Sequence, residues 1–303
     1  MTTNTSPLLQ LNNGVAMPAL GLGVYQSSPE DTVRAVRSAI DCGYRLIDTA
    51  AIYGNERQVG QALAELGMDR GEGRREVFVT TKLWMHDFGH DEALRAFDKS
   101  MAKLGLDYLD LYLLHWPIPS DFGNTVASYQ AAQKLLAEGR VRAIGVSNFT
   151  PAQLDDLIRR VQVVPAVNQV ELHPFFAQPA LQAADRKLGI ITQAWSPIGG
   201  INRYGKTRDD ASRDPLRHPT VAALAQKYGK TPAQIVLRWH LELGMSAIPK
   251  SVRPERIREN FDVFDFTLAP EEVQAISALD TGVRCGPDPD EVSRQKFKVT
   301  VQD

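Results

Sequence analysis

Leu46–Glu56 reads LIDTAAIYGNE, and the fold turns on what this stretch is. Leu46 and Ile47 begin as a buried strand would, yet Asp48 arrives while the run is still in progress. An unpaired carboxylate taken out of water costs several kcal/mol, so Asp48 requires a neutralising partner or a functional cavity. Tyr53 follows closely enough to share whatever environment Asp48 has.

Outward from this stretch the same pattern recurs: a short apolar run that ends on polar residues. It is seen at ALGLGVY (19–25), RLIDTA (45–50), VFVTTKL (77–83) and LDLYLLH (109–115). It returns at AIGVSN (143–148), AVNQVEL (166–172), IITQAWS (190–196) and SAIPKS (246–251). Segments of helical period lie between, including 29–43, 91–105, 128–139 and 150–161, several opening on Ser, Thr or Pro and closing on Gly. Eight strands each followed by a helix predict a closed parallel (β/α)8 TIM barrel, an α/β fold that typically needs about 250 residues. The 303 residues therefore read as one domain, 1–303. Ahead of the barrel, LLQL, the turn pair Asn13-Gly14 and VAMP predict an N-terminal β-hairpin. A doubly wound dinucleotide-binding sheet is the rival. GLGVYQ supplies Gly21 and Gly23 but places Gln26 at the third glycine position of the fingerprint.

Composition excludes other classes. Net charge is −2, with 43% hydrophobic and 23% charged residues, which suits neither nucleic acid nor an acidic membrane surface as partner. The N-terminus lacks a basic start followed by an apolar core, and no apolar run reaches about 18 residues, so no export or membrane span is expected. Cys42 and Cys285 belong to no C-x-x-C pair and read as free thiols of a reducing cytoplasm. A closed barrel has no exposed sheet edge, so a monomer is expected. The six histidines include no H-x-H or H-E-x-x-H, and His173 in ELHP has no ligand partner nearby in sequence, so no metal is expected and a metal-dependent hydrolase is disfavoured.

In a parallel barrel the polar strand ends converge on one face, where barrel enzymes carry their sites. Asp48, Lys82 and His115 end consecutive strands there, and Tyr53 lies just beyond the first of them. A lysine in an apolar run is costly to bury alone, and an adjacent strand can set its ammonium against Asp48. A nearby ammonium favours a phenolate, which makes Tyr53 a usable proton donor, while His115 can hydrogen-bond a substrate oxygen. A structural salt bridge is the plain alternative for Asp48 and Lys82 alone, but the four groups together point to catalysis.

These residues lie in motifs that resemble the aldo-keto reductase family, bacterial branch, of the diketo-gluconate and aldehyde reductase type. In order they are GLGVYQ, LIDTAAIYGNE, TTKLW, LLHWP, GVSNF, NQVELHP, WSPIG and IPKSVRPERIRENFDVFDF, spanning roughly residues 10 to 285. The resemblance implies a (β/α)8 barrel that transfers hydride between NADPH and an aldehyde or ketone without a metal. Its catalytic tetrad falls on Asp48, Tyr53, Lys82 and His115. It also implies that Ser147, Asn148 and Gln169 hold the nicotinamide amide and that Trp195, beside Ser196, stacks on the ring. Lys250, Ser251 and Arg256 suit a 2′-phosphate, and Glu259 and Asn260 match adenine-contacting positions. Tyr25, Trp84 and Trp116 would wall an apolar pocket for a small-molecule carbonyl substrate. Residues 199–215 form a long polar loop expected to act as a flap over the cofactor, and CGPDPDEVSRQKFKV (285–299) is expected to shape substrate choice. The competing function is an NADPH-binding redox-sensing regulatory subunit with little turnover.

Overall fold

A computed structural model describes residues 5–199 and 214–301. Strands β1 (Leu8–Gln10) and β2 (Ala16–Pro18) pair antiparallel, forming the expected hairpin. Asn13 stabilises the turn by accepting the Val15 N–H at 3.2 Å, and Gly14 takes φ +86° there.

The barrel strands follow: β3 (Leu22–Gly23), β4 (Leu46–Asp48), β5 (Phe78–Leu83), β6 (Leu109–Leu114), β7 (Val141–Ser147), β8 (Val167–Glu171), β9 (Ile191–Trp195) and β10 (Ser246–Ala247). Each pairs in parallel with its neighbour in chain order. The sheet closes through parallel bridges between Leu20 and Ala247 and between Gly23 and Lys250. This closure explains the two glycines that suggested a dinucleotide fingerprint. A Cβ on Gly21 would stand 2.1 Å from Leu46 Cδ2, and one on Gly23 would stand 3.0 Å from the Ile248 carbonyl oxygen. Their backbones must approach other strands closely, which only glycine allows.

Helices cover the outside. Helix α1 (Pro29–Cys42) is capped by Ser28, whose hydroxyl accepts the Asp31 N–H, and ends on left-handed Gly43. Helix α2 (Glu56–Glu65) and the short α3 (Gly71–Arg75) follow β4, and α4 (His90–Leu104) follows β5. Helix α5 (Phe122–Ala137) begins six residues ahead of the segment expected from residues 128–139, because FGNTVA continues the turns that pack against β6 and β7. Helices α6 (Pro151–Ile158) and α7 (Pro179–Lys187) precede β8 and β9. Helices α8 (Pro219–Tyr228), α9 (Pro232–Glu242), α10 (Pro254–Phe261) and α11 (Pro270–Ser277) complete the shell. Among the described residues, no helix is long and apolar enough to cross a membrane.

Two apolar cores result from the strand period of two. Ile47, Val79, Tyr112, Leu114, Ile144 and Val146 face outward and pack with the helices. Leu46, Phe78, Leu111, Leu113, Ala143 and Val167 face inward and are joined from below by Leu11 and Met17 of the hairpin region. The floor of the barrel is therefore apolar and plugged. Polar inward residues are left for the upper layer, at the C-terminal strand ends.

Candidate active site

Asp48 ends β4 and Lys82 lies two residues past the Asp48 register partner, Thr80, on the adjacent β5. The inward period then brings the two side chains together: Lys82 Nζ lies 2.6 Å from Asp48 Oδ1 and also donates to the Thr49 carbonyl at 2.8 Å. Both side chains are buried, Lys82 completely. Burial pushes the Asp48 carboxyl up and the Lys82 ammonium down, and each partner opposes the other's shift. The second carboxylate oxygen, Oδ2, accepts the Gln169 amide from across the barrel at 2.8 Å.

Tyr53 closes a short 3-10 turn, Ala51–Tyr53, directly after β4, with left-handed Gly54 ending it at φ +69°. Its ring sits 5.1 Å from Lys82 Nζ, 5.6 Å from the His115 ring and 4.8 Å from the Tyr25 ring. His115 follows β6 and is buried. Burial, with a smaller contribution from the Lys82 charge, holds its imidazole well below the usual histidine range, so the ring is neutral near pH 7. Its Nδ1 is buried without a hydrogen-bond partner.

The four groups border one cavity of about 540 Å³; Asp48, Tyr53 and His115 line it and Lys82 lies buried behind Asp48. Tyr25, Trp84 and Trp116 also line it, as do Asn148, Gln169, Trp195, Ser196, Lys250 and Arg256. The cavity thus runs from the tetrad to the segment that precedes α10.

Hydrogen bonds fix its amide groups. Gln169 Nε2 donates to Asp48 Oδ2 and to Gln193 Oε1, at 2.8 and 2.7 Å, which commits both of its hydrogens and leaves the carbonyl oxygen as the group on offer. Asn148 gives its hydrogens to the His115 carbonyl and to Ser147 Oγ, while its Oδ1 accepts the Trp195 indole N–H at 2.8 Å. Ser147 Oγ donates to the main-chain carbonyl of Gln169 at 2.7 Å, so Ser147 is a brace between β7 and β8 and does not line the cavity. Asn148 and Ser196 both take positive φ, +66° and +48°, at the ends of β7 and β9, a conformation that stores strain at barrel rims.

The remaining sequence candidates sit further back. Ser251 accepts the Arg253 N–H at 3.1 Å ahead of α10. Glu259 accepts the Thr231 hydroxyl at 2.8 Å, and Asn260 is buried on the same helix. Neither these two nor Ser251 lines the cavity, whereas Lys250 and the exposed Arg256 do. The expected flap over residues 199–215 lies, apart from its two ends, outside the described residues.

Gln193 escapes a reading of local sequence, whereas Pro287 and Val299 fall inside the 285–299 segment expected to shape substrate choice. Gln193, two residues before Trp195, links Gln169 to Ser246 Oγ through a 2.9 Å bond from its own amide. Pro287 and Val299 of the C-terminal segment line the cavity. That segment is tied down by the Trp84 indole N–H, which donates to the Val299 carbonyl at 2.7 Å, and by Phe297, whose ring lies 6.0 Å from that of Trp116. Inward spacing on β9 could have singled out Gln193; the tail's docking has no local signal.

The inward Asp48–Lys82 pair thus lies beside Tyr53 and His115 at the C-terminal face of a closed barrel. The profile described as "Aldo/keto reductase family" matches residues 17–281. The chain belongs to the aldo/keto reductase family. It is 55% identical over 293 residues to the morphine 6-dehydrogenase of Pseudomonas putida, covering 96% of this chain and 97% of that one. It is 45% identical over 284 residues to the methylglyoxal reductase DkgA of Escherichia coli, covering 94% and 97%. Among solved structures, a Bombyx mori aldo-keto reductase in complex with NADP superimposes with a TM-score of 0.85 at 38% identity, covering 97% of each chain. This aldo/keto reductase is therefore similar to its relatives along nearly its whole length, and its tetrad lies inside the matched region.

Proposed function

We propose that this enzyme reduces aldehyde or ketone carbonyls to alcohols with NADPH, and that Tyr53 is the proton donor. The observation that carries this reading is the placement of the buried Lys82 ammonium, held by Asp48, 5.1 Å from the Tyr53 ring, with the neutral His115 ring 5.6 Å from the same ring.

The cavity fits a nicotinamide dinucleotide phosphate. Gln169 presents a carbonyl oxygen to a carboxamide N–H, Trp195 is pinned by Asn148 as a flat wall, and Lys250 and Arg256 offer cations to phosphate at the far end. The cofactor, when bound, supplies the hydride that the carbonyl carbon receives.

The protein supplies the proton and the field. Tyr53 transfers its hydroxyl hydrogen to the carbonyl oxygen as that oxygen gains negative charge, so hydride plus proton converts C=O to CH–OH. Lys82 stabilises the charge left on the Tyr53 oxygen, Asp48 keeps Lys82 in place, and water later returns the proton. His115 orients the substrate. An orphaned buried N–H costs more than an orphaned acceptor, so Nδ1 carries the lone pair and Nε2 the hydrogen that the carbonyl oxygen accepts. Trp84, Trp116 and Tyr25 exclude water and select apolar substituents. One relative is named a dehydrogenase and another a reductase, the two directions of one hydride transfer. The closure of the eight-stranded sheet on itself supports action as a single domain and a monomer.

The deciding experiment follows NADPH absorbance with a panel of aldehydes, α-dicarbonyls and cyclic ketones, with Tyr53→Phe alongside. Carbonyl-dependent oxidation that disappears in Tyr53→Phe, while NADPH still quenches protein fluorescence, is expected. Near-normal turnover by Tyr53→Phe would remove Tyr53 as the acid. NADPH binding without turnover in the wild type would favour the regulatory role instead.

A further inference from the structure

Where the C-terminal segment crosses the end of β8, Glu171, His173 and Cys285 bring a carboxylate oxygen, an imidazole nitrogen and a thiol sulfur within 4.8 Å of one another. None of the three has a part in the reaction proposed above. In sequence His173 has no metal-ligand motif around it; the fold sets beside it Glu171 from the same strand end and Cys285 from 112 positions along the chain.

We propose that Glu171, His173 and Cys285 form a binding site for a divalent transition metal, zinc matching best, that fastens the C-terminal segment to the barrel. One sulfur, one imidazole nitrogen and one carboxylate oxygen make a borderline-soft donor set, which suits Zn²⁺ and is foreign to Mg²⁺ or Ca²⁺. His173 Nε2 and Glu171 Oε1 stand 3.2 Å apart. Two tetrahedral zinc ligands at about 2.0–2.1 Å from the ion are separated by about 3.3 Å, so this edge of the site is close to formed. The thiol has only to approach to about 3.6 Å from each, a side-chain adjustment on a half-buried residue.

The surroundings orient the donors. Glu171 Oε1 accepts the Cys285 N–H and Oε2 the Gly286 N–H, both at 2.8 Å, which steadies the carboxylate; Oε1 also pairs with His173 Nε2 at 3.2 Å, the contact an ion would replace. His173 is buried, and among the described residues its Nδ1 has no hydrogen-bond partner, so without an ion Nε2 carries the hydrogen that Glu171 Oε1 accepts; binding through Nε2 moves that hydrogen to Nδ1. Glu171 and His173 are closed off from solvent, whereas Cys285 is partly accessible and leaves an entry and a fourth position for water. The site adjoins the pocket: Glu171 is the strand partner of Trp195, and a Cβ on Gly286 would lie 2.6 Å from Trp195 Cη2 and 3.0 Å from Glu171 Oε2. An ion here would therefore hold the segment that brings Pro287 and Val299 to the cavity.

The test uses the tag-free full chain after chelator treatment, titrated with Zn²⁺ by calorimetry and with Co²⁺ by absorbance. The wild type should bind zinc saturably, show a thiolate-to-cobalt charge-transfer band and melt at a higher temperature with zinc. Cys285→Ser should lose the band and the melting shift and weaken zinc at least about tenfold, with His173→Gln weakening it similarly. Cys285 is partly exposed, so its replacement leaves a folded protein even if His173→Gln does not. Absence of saturable zinc binding, zinc binding unchanged by Cys285→Ser, or cobalt binding without the charge-transfer band would each overturn the site.

Discussion

Gln169 Nε2 donates to Asp48 Oδ2 at 2.8 Å across the barrel, while Lys82 occupies the other oxygen of the same carboxylate. Two residues that line the cavity from opposite sides of the barrel are thereby tied together, and through Asp48 to Lys82. Because Gln193 takes the second amide hydrogen, Gln169 cannot rotate its amide without losing both bonds.

Gln169→Glu removes both donors and sets a second carboxylate against Asp48 in a buried site. A hydrogen bond to a charged group contributes about 1.5–3 kcal/mol, and the like charge adds to its loss. A clear fall in the urea midpoint together with loss of turnover is expected. An unchanged midpoint would mean that the bond between Gln169 and Asp48 does not hold in solution.

Lys82→Met strands the Asp48 charge and should cost about 3–5 kcal/mol of stability. Asp48→Asn combined with Lys82→Met should regain much of that loss while remaining inactive, because the charges stabilise Tyr53 chemistry more than they stabilise the fold. Denaturant melts of both singles and the double form the cycle. A double variant whose loss equals the sum of the singles would show that neither charge depends on the other.

Two buried groups give stability opposite pH slopes. Burial pushes His240 down to about 4, outweighing the Val236 and Leu172 carbonyls at its ring nitrogens. The unfolded chain takes up this proton below about 6.5 and the folded chain does not, so stability is lost as pH falls from about 6.5 to 4. Burial pushes Asp185 up to about 7, against hydrogen bonds from Thr192 and Asn168. Its contribution is present below the unfolded carboxyl value near 4 and is lost as pH rises through about 7. Relative to the wild type, Asp185→Asn should therefore gain stability between pH 5 and 7.5, and His240→Gln should gain it between pH 6.5 and 4.5. Urea midpoints at these pH values check both signs, and parallel curves for variant and wild type would sink the assignment.

Arg256 is exposed and lines the far end of the cavity beside Lys250. Arg256→Ala should weaken NADPH by about 1.5–3 kcal/mol and leave NADH nearly unchanged, because only the phosphorylated cofactor loses a charge-assisted contact. Fluorescence titration with both cofactors measures the difference. Equal losses would make Arg256 a solvated surface cation.

Much of the fold was legible because its signals are local. Apolar runs ending on Asp48, His115 and Ser147-Asn148 announce strands, and Ser28 and Gly43 announce the ends of α1. The pairing of Asp48 with Lys82 was legible for a related reason: a carboxylate and an ammonium inside apolar strands are too costly to leave unexplained. Gly21 and Gly23 gave the rival fold only a partial fingerprint, since a glycine required by strand closure looks the same in sequence as one required by a phosphate.

The sequence by itself determined the strand and helix order, the barrel class and the identity of the catalytic candidates, because period, capping and the cost of buried charge act within a few residues. Only the tertiary structure decided that Gln169 and Gln193 share hydrogens with Asp48, that Ser147 braces strands instead of lining the cavity, and that Cys285 meets His173. These are contacts between strands or segments distant in the chain, and their geometry exists only once the sheet has closed and the C-terminal segment has packed across its rim.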